Sequence, residues 1–195
     1  GLEARALRRG APGARIERTG MGPRRARAAA ARLGRSSQAA VAVAGLAGGL
    51  APNLAPGDLV VASELRRRDG STIAVCPGAG LIAGMLRRRG LTAQVGPVVS
   101  VQAPASGRTR ARLRATGAVA VDMESAWLTG AAAGRPLVVV RAVLDTAEHE
   151  LTRPVATLRG LRQGLRALAA AAAVLEEWAE AVEPRQLVLA APRAS

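Results

Sequence analysis

An α/β fold, with a mostly parallel sheet covered by helices, is what the sequence predicts, and three observations carry it. Apolar runs of strand length, bounded by Gly, Pro or Asp, alternate with segments of helical pattern. The runs are continuously apolar, as strands covered on both faces are. With 195 residues the chain is long enough for one domain with a sizeable core and too short for two full ones.

In chain order, the first candidate element is a helix over Pro23 to Leu33. Strands follow in QAAVAVAG (Gln38 to Gly45), GDLVVASEL (Gly57 to Leu65) and STIAVC (Ser71 to Cys76). A helix over Leu81 to Arg89 leads to a strand in AQVGPVVSV (Ala93 to Val101). The strand GAVAVD (Gly117 to Asp122), a helix over Ser125 to Ala133 and the strand PLVVVRAVLD (Pro136 to Asp145) then form one strand, helix, strand unit. The last helix, from about Pro154 to Val182, places Leu158, Leu161, Leu165, Leu168, Leu175 and Trp178 at roughly helical spacing, so one face lies along the sheet. Residues 1–183 read as a single domain and 184–195 as a loose tail.

Apolar residues make up 49% of the chain but aromatics only 1%, with no Phe or Tyr, so the core must be filled by Ala, Val and Leu. The formal net charge of +14 invites a nucleic-acid partner through phosphate contacts and counterion release. Against it, every basic residue is Arg, the clusters are dispersed along the chain, and two Trp with no Phe or Tyr make no platform to stack bases. Arg at helix ends suits the helix dipole and covers apolar surface with its stem. A single Cys excludes an internal disulfide framework and a Cys-based zinc site, and Cys76 reads as a small buried thiol. No stretch is apolar and long enough to span a membrane, and the start lacks a signal-peptide layout, so a soluble cytoplasmic protein is expected.

The stretch AVAVDMESAWL sets Asp122, Met123 and Glu124 where a buried strand runs into a helix. Acids in a first helical turn complement the dipole, yet Asp145 ends the next strand. A strand, helix, strand unit of this length predicts two parallel strands. Both would then end on the sheet edge where ligands bind in α/β folds, and capping does not explain acids converging there. A third strand end, VAGLAGGLAP (Val43 to Pro52), adds Gly45, Gly48 and Gly49, which let backbone approach a ligand; its spacing fits neither a dinucleotide fingerprint nor a P-loop. Arg141 inside an apolar strand needs a partner, a carboxylate or a bound phosphate, and the sequence leaves both open. His149, in DTAEHEL, reads as a solvated loop histidine within reach of a substrate.

Taken together, RTGMGPRRARAAA (Arg18 to Ala30), VAGLAGGLAPNLAPGDLVVASE (Val43 to Glu64), VAVDMESAWL (Val119 to Leu128) and VVVRAVLDTAE (Val138 to Glu148) resemble the nucleoside phosphorylase superfamily over nearly the whole chain. The nearest flavours are the methylthioadenosine/S-adenosylhomocysteine nucleosidases and the hopanoid-associated phosphorylases. The resemblance implies a three-layer fold with a mostly parallel or mixed central sheet flanked by helices. It also implies cleavage of the N-glycosidic bond of a purine nucleoside, adenine being the expected base, by water or phosphate. On this resemblance Asp145 is the acid that protonates the base at N7, and Glu124 holds the ribose hydroxyls beside the developing oxocarbenium ion. Met123 packs on the sugar, Asp122 stands beside it, backbone at Ala47 and Gly48 faces the nucleophile, and Glu3 matches the water-activating carboxylate. No cofactor is implied beyond inorganic phosphate as a co-substrate, and a homodimer is the expected assembly.

Three departures from the resemblance stand out. The chain opens at Gly1, where relatives have a complete first strand ahead of the matching Glu, so the first strand is expected to be missing. The segment matching the base-stacking aromatic, SVQAPASG (Ser100 to Gly107), holds none. Leu46 replaces the Ser of such nucleosidases, and the more apolar wall suits a hydrophobic 5′ group such as an adenosine-capped triterpene. The competing readings are an Arg-rich nucleic-acid-binding protein and a catalytically inactive or truncated relative.

Overall fold

A computed structural model describes residues 1–146 and 154–182. His149 and the tail over 184–195 lie outside the described residues. Helices α1 (Leu2–Gly10) and α2 (Pro23–Gly34) come first, then β1 (Val41–Gly49), β2 (Leu59–Arg66), β3 (Thr72–Val75), α3 (Ala79–Arg88) and β4 (Ala93–Ser100). They are followed by α4 (Gly107–Ala115), β5 (Ala120–Asp122), the one-turn α5 (Ser125–Leu128) with a 3-10 turn over Thr129–Ala131, β6 (Leu137–Asp145) and α6 (Pro154–Val182).

The fold is α/β with a mixed sheet flanked by helices, in strand order β3-β2-β4-β5-β1-β6. β6 also pairs back onto β2, so five strands close into a ring and β3 hangs on its outside. Within the ring, β2, β4 and β5 run parallel to one another, as do β1 and β6, and the two groups meet at antiparallel seams, β1 with β5 and β2 with β6. At those seams closure leaves no free edge.

Two expectations are corrected here. The strands ending in Asp122 and Asp145 are not parallel: β5 opposes β1, which is parallel to β6. The intervening helix is a single turn, too short to carry a right-handed crossover over the sheet, and β5 takes its direction from its parallel neighbour β4. The acids still meet, for a different reason. The last residues of β5 lie antiparallel beside the last residues of β1, with Val121 opposite Gly48. The second correction concerns the glycine-rich stretch beyond Gly45, where the strand is expected to end. It is strand through Gly49, laddered to β6 along its length and to β5 at its end.

Alternate residues of the strands feed two apolar layers. Val139 and Val143 of β6 pack with α2 and the α5 turn, while Val138, Val140 and Ala142 pack under α3 and α6. Ala, Val and Leu fill both, with Trp178 of α6 buried in the second layer. α2 starts at Pro23, where the missing N–H has no intrahelical partner to lose. Its end is tied by Arg135, which donates to the carbonyls of Leu33, Ser36 and Gln38 at 2.8 Å each. Part of the arginine excess is therefore spent on internal carbonyls.

α6 approaches the sheet through glycine. A Cβ at Gly160 would run into the carbonyl oxygen of Leu144, and one at Gly164 would lie 2.7 Å from Leu46 Cδ2. Gly160→Val is expected to destabilise the protein by about 1–3 kcal/mol through overpacking, read as a lower urea midpoint. Gly80→Ala, on α3 with open space where the new methyl group would stand, is the control and is expected to be neutral or slightly stabilising.

Candidate active site

Strand β1 is the spine of the site. Along the ladder with β6, Gly45 stands opposite Arg141 and Gly48 opposite Asp145. The register shifts between Ala47 and Gly48, so Asp145 rather than Leu144 comes opposite Gly48. A bulge of this kind re-aims the side chain at the end of a strand. Three residues of extended chain, roughly 10 Å, separate the two glycines.

Both glycines make room for charge. A Cβ at Gly48 would lie 2.6 Å from Arg110 Nη2 and 3.2 Å from Asp145 Oδ1. A Cβ at Gly45 would collide with Arg141 Nη1 and lie 3.1 Å from Glu3 Oε1. Neither glycine has a left-handed φ, so space, not backbone conformation, requires them.

Around Gly45 the charges form a network. Arg141, 3% exposed, donates from Nε and Nη2 to Ser125 Oγ at 3.1 and 2.8 Å. Its Nη2 lies 2.7 Å from Asp122 Oδ2 and 3.8 Å from Glu124 Oε2. Asp122 also accepts from Ser100 Oγ at 2.5 Å and from the backbone N–H groups of Glu124 and Ser125 at 3.3 Å. Ser100 in turn accepts from the N–H of Ala126 at 2.9 Å. Of the two partners the sequence left open for Arg141, the carboxylate is the one found. Asp122 therefore spends its oxygens on the protein: it caps the turn into α5 and neutralises a buried arginine.

Glu124 sits half-buried at the start of that turn. Its pKa is raised, first by burial and further by the neighbouring Asp122 charge; Arg141 and hydrogen bonds from the backbone at Gly22 and Met123 oppose the shift. Glu3 reaches the same strand from α1, accepting from the backbone N–H of Leu46 at 2.8 Å. Around Gly48 the second cluster is an ion pair between Asp145, 5% exposed, and Arg110, 6% exposed. Arg110 comes from α4 and also donates from Nε to the carbonyl of Ala105 at 2.9 Å.

A cavity of about 1240 Å³ takes in both clusters, and Glu3, Ala47, Gly48, Asp122, Met123, Glu124 and Asp145 all line it, together with Arg110 and Arg141. That is ample for a drug-sized ligand. Among the described residues, no aromatic side chain lines it. Apolar surface comes from β1, α1 and α6, with Leu46, Leu7, Ala172 and Leu175 on the walls. Cys76 stays outside the cavity, buried, and burial pushes its thiol up to about 11. Among the described residues no group of three His, Cys, Asp or Glu is placed to hold a metal ion.

Sequence reasoning missed Ser100, Ser125 and Arg110. A serine closing an apolar strand and another directly after Asp122-Met123-Glu124 were readable signals of a polar network. Arg110 had none, because GRTRARLRA sets Arg at alternate positions, a spacing that conceals the helix and the one arginine of it that is buried.

The sequence matches the phosphorylase superfamily over residues 10–179. No curated protein matches it. Among solved structures it is similar to the S-adenosylhomocysteine nucleosidase of Streptococcus pyogenes, with 23% identity and a TM-score of 0.68, covering 82% of this chain and 77% of that one. It is also similar to the 5′-methylthioadenosine/S-adenosylhomocysteine nucleosidase of Campylobacter jejuni, with 16% identity and a TM-score of 0.75, covering 92% and 95%. The futalosine hydrolase of Helicobacter pylori shares 19% identity with a TM-score of 0.70, covering 82% and 77%. At these identities the likeness is one of fold.

Proposed function

The chain belongs to the phosphorylase superfamily, and from that premise we propose that it cleaves the N-glycosidic bond of a purine nucleoside, passing the ribosyl group to water or phosphate. The observation that carries the reading is that the Asp145–Arg110 pair and the Glu124, Arg141 and Glu3 group line one cavity, spaced along one strand.

Breaking the bond from C1′ to the base nitrogen leaves positive charge on the sugar and negative charge on the base. Glu124 is the anion for the sugar side: its carboxylate interacts more strongly with an oxocarbenium ion than with the neutral ribose, so its effect falls on the transition state. Arg141 and Asp122 position it, the first by its charge and the second by bonding the backbone N–H of Glu124. Met123 supplies apolar contact to the sugar. Asp145 and Arg110 serve the base side, where a charge or a proton must meet the leaving group. Glu3, anchored on the N–H of Leu46, is the base for an attacking water. The apolar walls support a nucleoside with an apolar 5′ substituent, in line with Leu46 on that side.

Incubation of the purified chain with purine nucleosides, with and without phosphate, tests the reading by the release of free base and of ribose or ribose 1-phosphate. Release of base only with phosphate selects phosphorolysis, release without it selects hydrolysis, and no release under either condition rejects cleavage.

Glu124→Gln is expected to separate activity from stability. The folded chain holds the Glu124 proton more tightly than the unfolded chain does, since the folded pKa is raised. Ionising the group therefore lowers stability above that pKa, and the deficit vanishes as pH falls through it. The variant is expected to lose most cleavage yet to melt at or above the parent at neutral pH, the difference closing toward acid. A variant that melts well below the parent at neutral pH contradicts this.

A further inference from the structure

We propose that the chain beyond α6 adds a strand to the sheet: QLVLAA, residues 186–191, lies parallel to β1 along its open edge and fills the part of the cavity remote from Asp145. The proposal stands apart from the cleavage reading, since it concerns the cleft along β1 and not the charges at its end.

The edge comes from the way the ring closes. β1 meets β5 only at Gly48 and Gly49, whereas it is laddered to β6 along its length. Among the described residues, 41–47 therefore have a strand on one side only. Along a strand the backbone groups alternate in direction, and in a parallel ladder the N–H and C=O of one residue point the same way. The N–H of Val41 points to the β6 side, donating to the carbonyl of Pro136, and that of Leu46 points away from it, donating to Glu3. Ala42 and Ala44 share the direction of Leu46. Their N–H and C=O groups face the cleft, a row that a further strand pairs with. Glu3 holds the N–H of Leu46 and marks where such a strand stops.

The cleft has the walls a strand needs. Leu175 and Ala179 line it from the α6 layer, and Leu33, Leu128 and Ala131 line it from the α2 layer. Ala42 is exposed in mid-strand, although Val41 and Val43 beside it are buried. At about 1240 Å³ the cavity is larger than the roughly 300–1,000 Å³ of small-molecule sites, so a nucleoside at the Gly48 end leaves the rest of it to be filled.

The path of α6 selects the occupant. Gly160 lies against the carbonyl of Leu144 and Gly164 against Leu46, so the helix starts at the far ends of β6 and β1 and travels back along them. From Gly164 to Glu176 it advances about 18 Å, which matches roughly six residues of strand and carries it from Leu46 to the start of β1. Glu176, Ala179 and Glu180 line the cavity there. α6 ends at Val182, and Pro184 opposes its continuation. Residues 183–185 join that point to the proposed strand, an ordinary length for a helix-to-strand connection. Reversal there sets the next segment parallel to β1, with α6 as the crossover from β6.

The segment fits the place. QLVLAA is apolar after its first residue, holds no Gly or Pro, and stops at Pro192. Successive side chains point to opposite faces, so Leu187 and Leu189 meet one apolar layer and Val188 and Ala190 the other. A strand apolar on both faces suits a place covered on both. Arg185 enters beside Glu176 and Glu180, the acids at that end of the cleft.

NMR on the full chain at low concentration tests the proposal. NOEs are expected between the amide protons of Ala42 and Ala44 and the backbone of residues 186–191, with slow hydrogen exchange at both amides. In the double variant Leu187→Asp/Leu189→Asp that slow exchange is expected to be lost, while Val43, laddered to β6, keeps its own. Protection retained at Val43 separates an opened edge from an unfolded chain. If Val43 loses protection as well, the NOEs of the parent decide, and their absence overturns the proposal. Fast exchange at Ala42 and Ala44 in the parent overturns it too, as does slow exchange that the double variant leaves unchanged. NOEs found only between differently labelled chains in a mixture put a second copy on the edge and overturn it likewise.

Discussion

Asp145→Asn is expected to lower kcat/KM for nucleoside cleavage by roughly 10²- to 10⁴-fold, the range that a positioned acid or base contributes, with a lower melting temperature, since the buried Arg110 loses its counter-charge, but with the native fold kept. Asn has the same shape and keeps a carbonyl oxygen that can accept from Arg110. What it lacks is the negative charge that holds the guanidinium on the base side and the carboxyl group that can carry a proton. Either role of Asp145, proton donor to the base or anchor of Arg110, fails in the amide, so the prediction does not depend on which dominates. Circular dichroism and a thermal melt check the fold, and steady-state release of free base checks the activity. A variant that retains a tenth or more of the parent's rate removes Asp145 from the chemistry. This outcome also separates the enzyme from an Arg-rich nucleic-acid-binding protein, whose defining property, steeply salt-dependent DNA binding, does not depend on one buried acid.

Arg141→Met carries the largest expected effect on stability, about 3–5 kcal/mol, because it leaves a buried carboxylate without its counter-charge. The side chain of Asp122 is fully buried, so no water can take the place of the guanidinium. Ser100 and two backbone N–H groups remain as donors, which sets the effect below that of an isolated buried charge. In a chain of this size the loss corresponds to a drop in melting temperature of roughly 10 °C or more. Pairing it with Asp122→Asn should recover part of the loss, since the uncompensated charge is gone and the two residues touch. If the double variant is as unstable as the sum of the two singles, the pair is not coupled and the network drawn around Gly45 is wrong. Because Arg141 also lies beside Glu124, the single variant is expected to lose activity as well, and the double not to regain it.

Much of the fold was legible because its signals are local. The run Leu137–Asp145 is apolar at nearly every position and reads as a strand whatever surrounds it. The spacing of Leu161, Leu165, Leu168 and Leu175 marks the face of α6 turned to the sheet just as directly, although Leu158, read onto the same face, is 49% exposed. α4 was not legible: its four arginines carry no helical period, and only packing decides that Arg110 and Leu113 face inward. Nor was the end of β1. Gly45, Gly48 and Gly49 look like a loop in isolation, and they are strand because β6 and the tip of β5 supply ladder partners on both sides.

For the site, the sequence by itself determined which acids stand at strand ends, that Arg141 sits in an apolar strand and requires a partner, and that glycines lie close by. These follow from residue type and neighbour pattern, which act over a few residues. The partners were decided by tertiary structure alone: Asp122 for Arg141, Arg110 for Asp145, Leu46 for Glu3. So was the antiparallel meeting of β5 with β1, where the sequence argued for parallel strands. The physical reason is closure of the ring. Which strands become neighbours depends on contacts between residues up to about a hundred positions apart in the chain, and no local preference encodes them.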